Sequence, residues 1–134
     1  MALVLKVAVA PIAVNQCEKF VGQHRSDDTE AFCVEKGITF EAYSPLGSAR
    51  AGKGCAPHCP PPALSEPIVV STAAKHKVSP AQVALKWILQ QPGKHTLTTQ
   101  SHDLAYDKED LDLFSFTLSA DEMKALDAAK LPPL

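Results

Sequence analysis

The spacing of apolar positions changes repeatedly along the chain, and each change predicts a new element. Residues 7–16, VAVAPIAVNQ, are almost continuously apolar and rich in β-branched side chains. This predicts a strand buried on both faces, with Asn15 and Gln16 where it exits. Pro11 has no N–H to give to a ladder, so pairing is expected to start after it. In residues 27–36, DDTEAFCVEK, Ala31, Phe32, Cys33 and Val34 form a partial apolar face. Asp27 and Asp28 favour a helix start there, and Gly37 favours its stop. Residues 38–43, ITFEAY, then predict a short strand that breaks at Ser44-Pro45-Leu46-Gly47.

Residues 47–64 have no period and are rich in Gly, Pro and Cys, which predicts a long loop. Ser65 is a candidate cap for a helix over 66–77, with Pro67 in its first turn. Ser79-Pro80-Ala81-Gln82 is a stronger start signal, because it joins an N-cap Ser, Pro at N1 and Gln at N3 in a capping box. Val83, Ala84, Trp87, Ile88 and Gln91 follow at helical spacing, and Pro92-Gly93 ends the run. Residues 95–101 are β-prone, and residues 107–113 predict a turn or two of helix. Ser119 and Glu122 form a second capping box ahead of Met123, Leu126 and Ala129, and residues 131–134 are a tail. The order is strand, helix, strand, long loop, helix, helix, strand, helix, helix. Alternation of this kind implies an α/β fold with a parallel sheet under covering helices.

Composition narrows the partners. The chain has 134 residues, 46% of them hydrophobic and 21% charged, and a formal net charge of −2. One domain over 1–134 is expected from that length. No basic field is present to attract nucleic acid or an anionic membrane, so neither is an expected partner. No apolar run reaches the roughly 20 residues that span a bilayer. The start, MALVLKVAVAPIAV, has a signal-like Ala8-Val9-Ala10, but Lys6 interrupts the apolar run instead of preceding it. The expected compartment is therefore the reducing cytoplasm, with the four cysteines as thiols. Cys17 and Cys33 lie in apolar-patterned segments and read as packing residues. Cys55, His58 and Cys59 leave a zinc loop open, although no second ligand pair follows at finger-like spacing and a plain loop is the simpler reading.

Four segments in order resemble the aldo-keto reductase family: PIAVNQCE (11–18), EKGITFEAYSPLGS (35–48), AAKHKVSPAQVALKWILQQ (73–91) and EDLDLFSFTLSADEMKALDA (109–128). The resemblance runs from about residue 11 to 129, with a divergent loop over 49–64. It implies a (β/α)8 barrel that reduces aldehydes and ketones with NADPH. A whole barrel takes about 250 residues. The match therefore implies a partial TIM barrel, the C-terminal three βα units with extra C-terminal helices. The family's catalytic tyrosine, lysine, aspartate and histidine belong to earlier strands, so no catalytic residue is assigned.

The resemblance does assign cofactor-binding positions. Gln16 would hydrogen-bond the nicotinamide carboxamide, and Tyr43 would stack on the nicotinamide ring. On residue type alone, Gln16 also fits a group that satisfies backbone at the barrel end, and Tyr43 better fits an amphipathic closure of the barrel end. Ser44, Leu46 and Ser48 would meet the pyrophosphate through backbone N–H groups and hydroxyls; on pattern alone this stretch is a turn. Gln100, Ser101, Tyr106, Glu109 and Asp110 align with the positions that hold the adenosine end.

Two departures from the family pattern change the expectation. A lysine and an arginine that the family uses for the 2′-phosphate are replaced here by Gln100 and Tyr106. Phosphate is best met by bidentate Arg, so NADP(H) is implied by the family while NAD(H) gains ground, with Lys108 the nearest compensating cation. Lys19-Phe20-Val21 also replaces an aromatic-His-Pro run. The implied partner is a small carbonyl substrate. Open barrel edges leave two outcomes: a marginal monomer, or edges covered by further copies or a complementing chain. The competing reading of the whole chain is a non-catalytic interaction fragment or a truncated gene product.

Overall fold

The computed structural model of the protein describes residues 2–47, 62–101 and 103–130. In chain order the elements are α1 (Ala2–Val7), β1 (Val14–Glu18), α2 (Asp27–Lys36), β2 (Thr39–Tyr43), a 3-10 turn (Pro62–Ser65), α3 (Pro67–His76), α4 (Pro80–Leu89), β3 (His95–Leu97), α5 (Leu104–Leu111) and α6 (Ala120–Asp127). The three strands form one parallel sheet in the order β1-β2-β3. The expected α/β architecture of a partial barrel is the one observed.

Local chemistry explains most boundaries. In α4 the Ser79 hydroxyl accepts from the Gln82 N–H while the Gln82 side chain accepts from the Ser79 N–H, so both halves of the capping box are present. Ser119 and Glu122 make the same reciprocal pair at the start of α6. Gly37 ends α2 in the left-handed region at φ 67°, and its N–H returns to the Cys33 and Val34 carbonyls.

Register decides which side chains face which way. Gln16 lies opposite Glu41, Cys17 opposite Ala42, Phe40 opposite His95 and Ala42 opposite Leu97. Successive strand residues alternate faces. Cys17, Phe40, Ala42 and His95 therefore share the face under the helices, where Phe40 and Ala42 are fully buried. Gln16, Glu41, Tyr43 and Thr96 share the opposite face. The core joins the helix-facing side of the sheet to α4, whose residues from Gln82 to Ile88 are all buried, with Trp87, Phe20, Phe40, Leu118 and Leu126 the largest contributors. Burial of that many apolar side chains is what carries the fold.

The structure corrects the sequence reading at the start of the chain. Residues 7–13 are not strand, and the segment is not buried on both faces: Ala2–Val7 is helical, β1 begins only at Val14, and Leu3, Val7 and Val9 are exposed. Pairing does begin after Pro11, as the missing N–H requires. Asn15 and Gln16 lie inside the strand and not at its exit. Among the described residues no strand pairs with residues 2–7, and their backbone groups pair within a helical turn instead of across a ladder. Two further boundaries move. Glu66, not Ser65, precedes α3, because Ser65 is already used in the 3-10 turn. α5 begins three residues early, at Leu104, since the Asp103 carboxylate accepts from the Ala105 N–H at 2.8 Å and so supplies a cap.

Cys17 and Cys33 are unbridged thiols, and Cys33 is buried, in keeping with a packing role. Cys55, His58 and Cys59 lie outside the described residues, as do Ser48 and residues 131–134. Among the described residues no group of three or more His, Cys, Asp or Glu side chains is placed to hold a metal ion, and no helix is long and apolar enough to cross a membrane.

Candidate functional site

The ends of β2 and β3, the start of α4 and one side of α5 meet around a cavity of about 500 Å³. Each wall has a local cause. β2 stops at Tyr43, and Ser44 turns the chain with a φ of 49°. The Gly47 N–H then closes onto the Ser44 carbonyl at 2.8 Å. Gly47 is needed there because its φ is 76° and a Cβ would come within 3.1 Å of the Phe20 ring. This turn presents Leu46 to the cavity. The capping box of α4 presents Ser79, Pro80 and Ala81, and Leu64 comes from the 3-10 turn.

Beyond β3, the ladder continues for one step as the Thr98 N–H donates to the Ala42 carbonyl at 2.9 Å. The chain then turns into α5. Thr99 Oγ1 donates to Asp110 Oδ2 at 3.0 Å, and Ser101 Oγ accepts from the Asp103 N–H at 2.9 Å. These bonds set Thr99, Gln100 and Ser101 against Tyr106, Glu109 and Asp110 on the opposing helix face. Burial pushes the Asp110 carboxyl above its usual range; the Thr99 bond opposes this, and nearby Asp107 and Glu109 add to it. The described lining holds two carboxylates and no Lys or Arg.

Of the ten positions taken from the family resemblance, the cavity gathers Leu46, Gln100, Ser101, Tyr106, Glu109 and Asp110. Gln16 and Tyr43 do not line it. They lie on the exposed face of the sheet, where Tyr43 is opposite Glu18 and Gln16 donates from Nε2 to Glu41 Oε1 at 2.6 Å. Ser44 sits at the turn that joins the two groups. Sequence reasoning missed Leu64, Ser79, Pro80, Ala81 and Thr99 as lining residues and Glu41 as the partner of Gln16. Ser79 and Pro80 stand out in the sequence only as a cap, and Thr99 only as part of the β-prone run 95–101. Glu41 gave a sign that was not used, namely a charge inside an otherwise apolar strand pattern.

A parallel sheet that carries a cavity at the C-terminal ends of its strands is the arrangement of a βα-barrel enzyme segment. The Aldo/keto reductase family model matches residues 1–130, and the chain belongs to that family. It is 38% identical over 129 residues to the mouse (Mus musculus) aldo-keto reductase family 1 member A1, an alignment that takes in 93% of this chain and 37% of that protein. The aldose reductase of Schistosoma japonicum superposes with a TM-score of 0.77 at 26% identity, over 99% of this chain and 38% of the other. A Gox0644 variant solved in complex with NADPH superposes with a TM-score of 0.75 at 28% identity, over 97% of this chain and 42% of the other. The chain therefore spans a little over a third of the length of the curated relatives it matches.

Proposed function

We propose that this chain is the dinucleotide-holding sector of an NAD(P)H-dependent carbonyl reductase, an oxidoreductase that converts aldehydes or ketones to alcohols. The observation that carries the reading is the cavity at the β2 and β3 ends, which collects the adenosine-end positions from separate elements. In this reading residues 1–134 act as one domain. Gln16 meets the nicotinamide carboxamide, and Tyr43 offers a flat face to the ring. Ser44, Leu46 and Ser48 meet the pyrophosphate, and Gln100, Ser101, Tyr106, Glu109 and Asp110 surround the adenosine. When bound, the nicotinamide supplies a hydride. Tyr43 limits the ring to one exposed face, and so fixes the side from which hydride leaves. Both tyrosines are used in holding the dinucleotide. No proton donor is assigned within this chain, and turnover by it alone is expected to be slow.

The donor set fits an unphosphorylated ribose better than a 2′-phosphate. Ribose hydroxyls donate to carboxylates such as Glu109 and Asp110, whereas a phosphate dianion is repelled by them and finds no Arg or Lys in the described lining. We therefore propose that NADH is held more tightly than NADPH. Calorimetric titration of the chain with each dinucleotide tests this. Saturable NADH binding is the expected result, with NADPH weaker. No saturable binding of either overturns the reading.

A second reading, association through the sheet, is favoured by exposed Leu3, Val7 and Val9 ahead of β1, by exposed Val14 at its start, and by the position of β1 at the end of the described strand order. Sedimentation velocity over a range of concentrations separates the two, since only the second requires a concentration-dependent mass.

A further inference from the structure

Gln16 and Glu41 face each other directly across β1 and β2, with Gln16 Nε2 2.6 Å from Glu41 Oε1. A carboxylate only accepts, so the NH2 end of the Gln16 amide must turn toward Glu41 and the carbonyl end must turn away. The orientation thus follows from chemistry and not from which atom is labelled oxygen. Tyr43 lies two residues beyond Glu41 on the same strand, hence on the same face. A fixed amide carbonyl, a fixed negative charge and a flat aromatic ring are therefore neighbours on one exposed surface.

We propose that Glu41 is a specificity-determining residue: by holding Gln16 with its carbonyl outward, it makes this face select a ring carboxamide over a ring carboxylate, and a cationic ring over a neutral one. The inference rests on the dinucleotide reading above, because it needs the nicotinamide end beside Gln16 and Tyr43. Gln16 Nε2 has two N–H groups; one is given to Glu41 and the carbonyl is turned away from that carboxylate, so the outward side of the amide leads with an acceptor. A carboxamide supplies the matching N–H. A carboxylate presents lone pairs to a lone pair and adds a second negative charge near the first. Turning the amide over to suit it sets the Gln16 carbonyl against the Glu41 carboxylate, which is repulsive as well. The same charge favours the oxidised pyridinium, which is positive, over the neutral dihydropyridine.

The test is calorimetric titration of the full chain with NAD+, with deamidated NAD+ (a carboxylate in place of the carboxamide) and with NADH. It compares the unaltered protein, Glu41→Gln and Gln16→Ala. Glu41→Gln keeps a hydrogen-bonding partner of the same shape, removes the charge and lets Gln16 turn either way. The unaltered chain should bind NAD+ about tenfold or more tighter than the deamidated form. It should bind NAD+ about threefold to tenfold tighter than NADH, corrected for any difference the dihydropyridine ring makes in Glu41→Gln. Glu41→Gln should bring both ratios down, whereas Gln16→Ala should keep the oxidised-over-reduced preference. If the unaltered chain binds NAD+ and Glu41→Gln leaves both ratios unchanged, the inference fails while the dinucleotide reading stands. If the unaltered chain binds none of the three, both fail together.

Discussion

The Nε2 atom of His24 lies 2.8 Å from the carbonyl oxygen of Ala129, 105 residues further along the chain. Its Nδ1 lies 2.9 Å from Asp27 Oδ2. Both partners accept, and only the imidazolium has two N–H groups to give. The Ala129 carbonyl first, and the Asp27 carboxylate second, raise the His24 pKa above its usual 6.5. The clamp joins the start of α2 to the residues just after α6.

A raised histidine pKa stabilises the fold below the unfolded-state value, and this contribution is lost as pH rises through the folded value. The urea midpoint is expected to fall over the window that opens at the unfolded-state value of about 6.5 and closes at the higher folded value. His24→Gln should lower the midpoint mainly at the acid end of that window and flatten the slope. The opposite trend belongs to lower pH. Burial pushes Glu30 up but His95 and Lys19 more than offset it, and Lys75 leads the groups that hold Glu122 far below the usual carboxylate range. Those contributions are present near neutrality and are lost on acidification. Equal slopes for the parent and His24→Gln would remove the clamp from the explanation.

Lys19 is nearly buried, 2.7 Å from Asp27 and 2.7 Å from Glu30, with its ammonium 5.3 Å from the centre of the Trp87 ring. Burial works against its charge, yet the two carboxylates outweigh that and raise its pKa. Lys19→Ala is expected to cost about 3 kcal/mol in a denaturation experiment, because it leaves Glu30 with His95 alone in a half-dry site. The double variant Lys19→Met, Glu30→Gln should lose less than the sum of its single variants. Strict additivity would show that the pair contributes through packing alone.

Two glycines separate backbone strain from crowding. Gly37, at φ 67°, has nothing within 4 Å of a Cβ, so Gly37→Ala should cost about 1 kcal/mol from conformation alone. Gly93, at φ 98°, would place a Cβ 2.9 Å from Val34 Cγ2, so Gly93→Ala should cost more. Val34→Ala in the Gly93→Ala background should recover part of the difference. Urea midpoints of the four proteins measure this directly.

Cations can be returned to the cavity. Gln100→Lys with Tyr106→Arg should move the NADPH to NADH affinity ratio toward NADPH by about tenfold or more, given what one charged hydrogen bond is worth. Calorimetry with both dinucleotides reads the shift. An unchanged ratio would place the 2′-position of the ribose elsewhere on the molecule.

What the chain reveals from sequence depends on how local the cause is. The Ser79–Gln82 and Ser119–Glu122 boxes and the Gly37 stop act within a few residues, and all three are found where the pattern places them. Residues 7–12 carry a strand-like pattern but join no ladder among the described residues, and pattern alone does not supply the neighbour. The cavity was legible only through family resemblance, because its walls come from stretches as distant as Leu46 and Asp110. The Gln16–Glu41 pair needed the register between two strands, which no spacing rule fixes.

Trp87 is the single tryptophan, and it is 2% exposed, with its Nε1–H donated to Asp127 Oδ1 at 2.7 Å. The molecule thus carries its own optical gauge. One indole reports at once on the seam between α4 and α6 and on the ammonium lying over its ring, so loosening of either should colour its emission without any label attached.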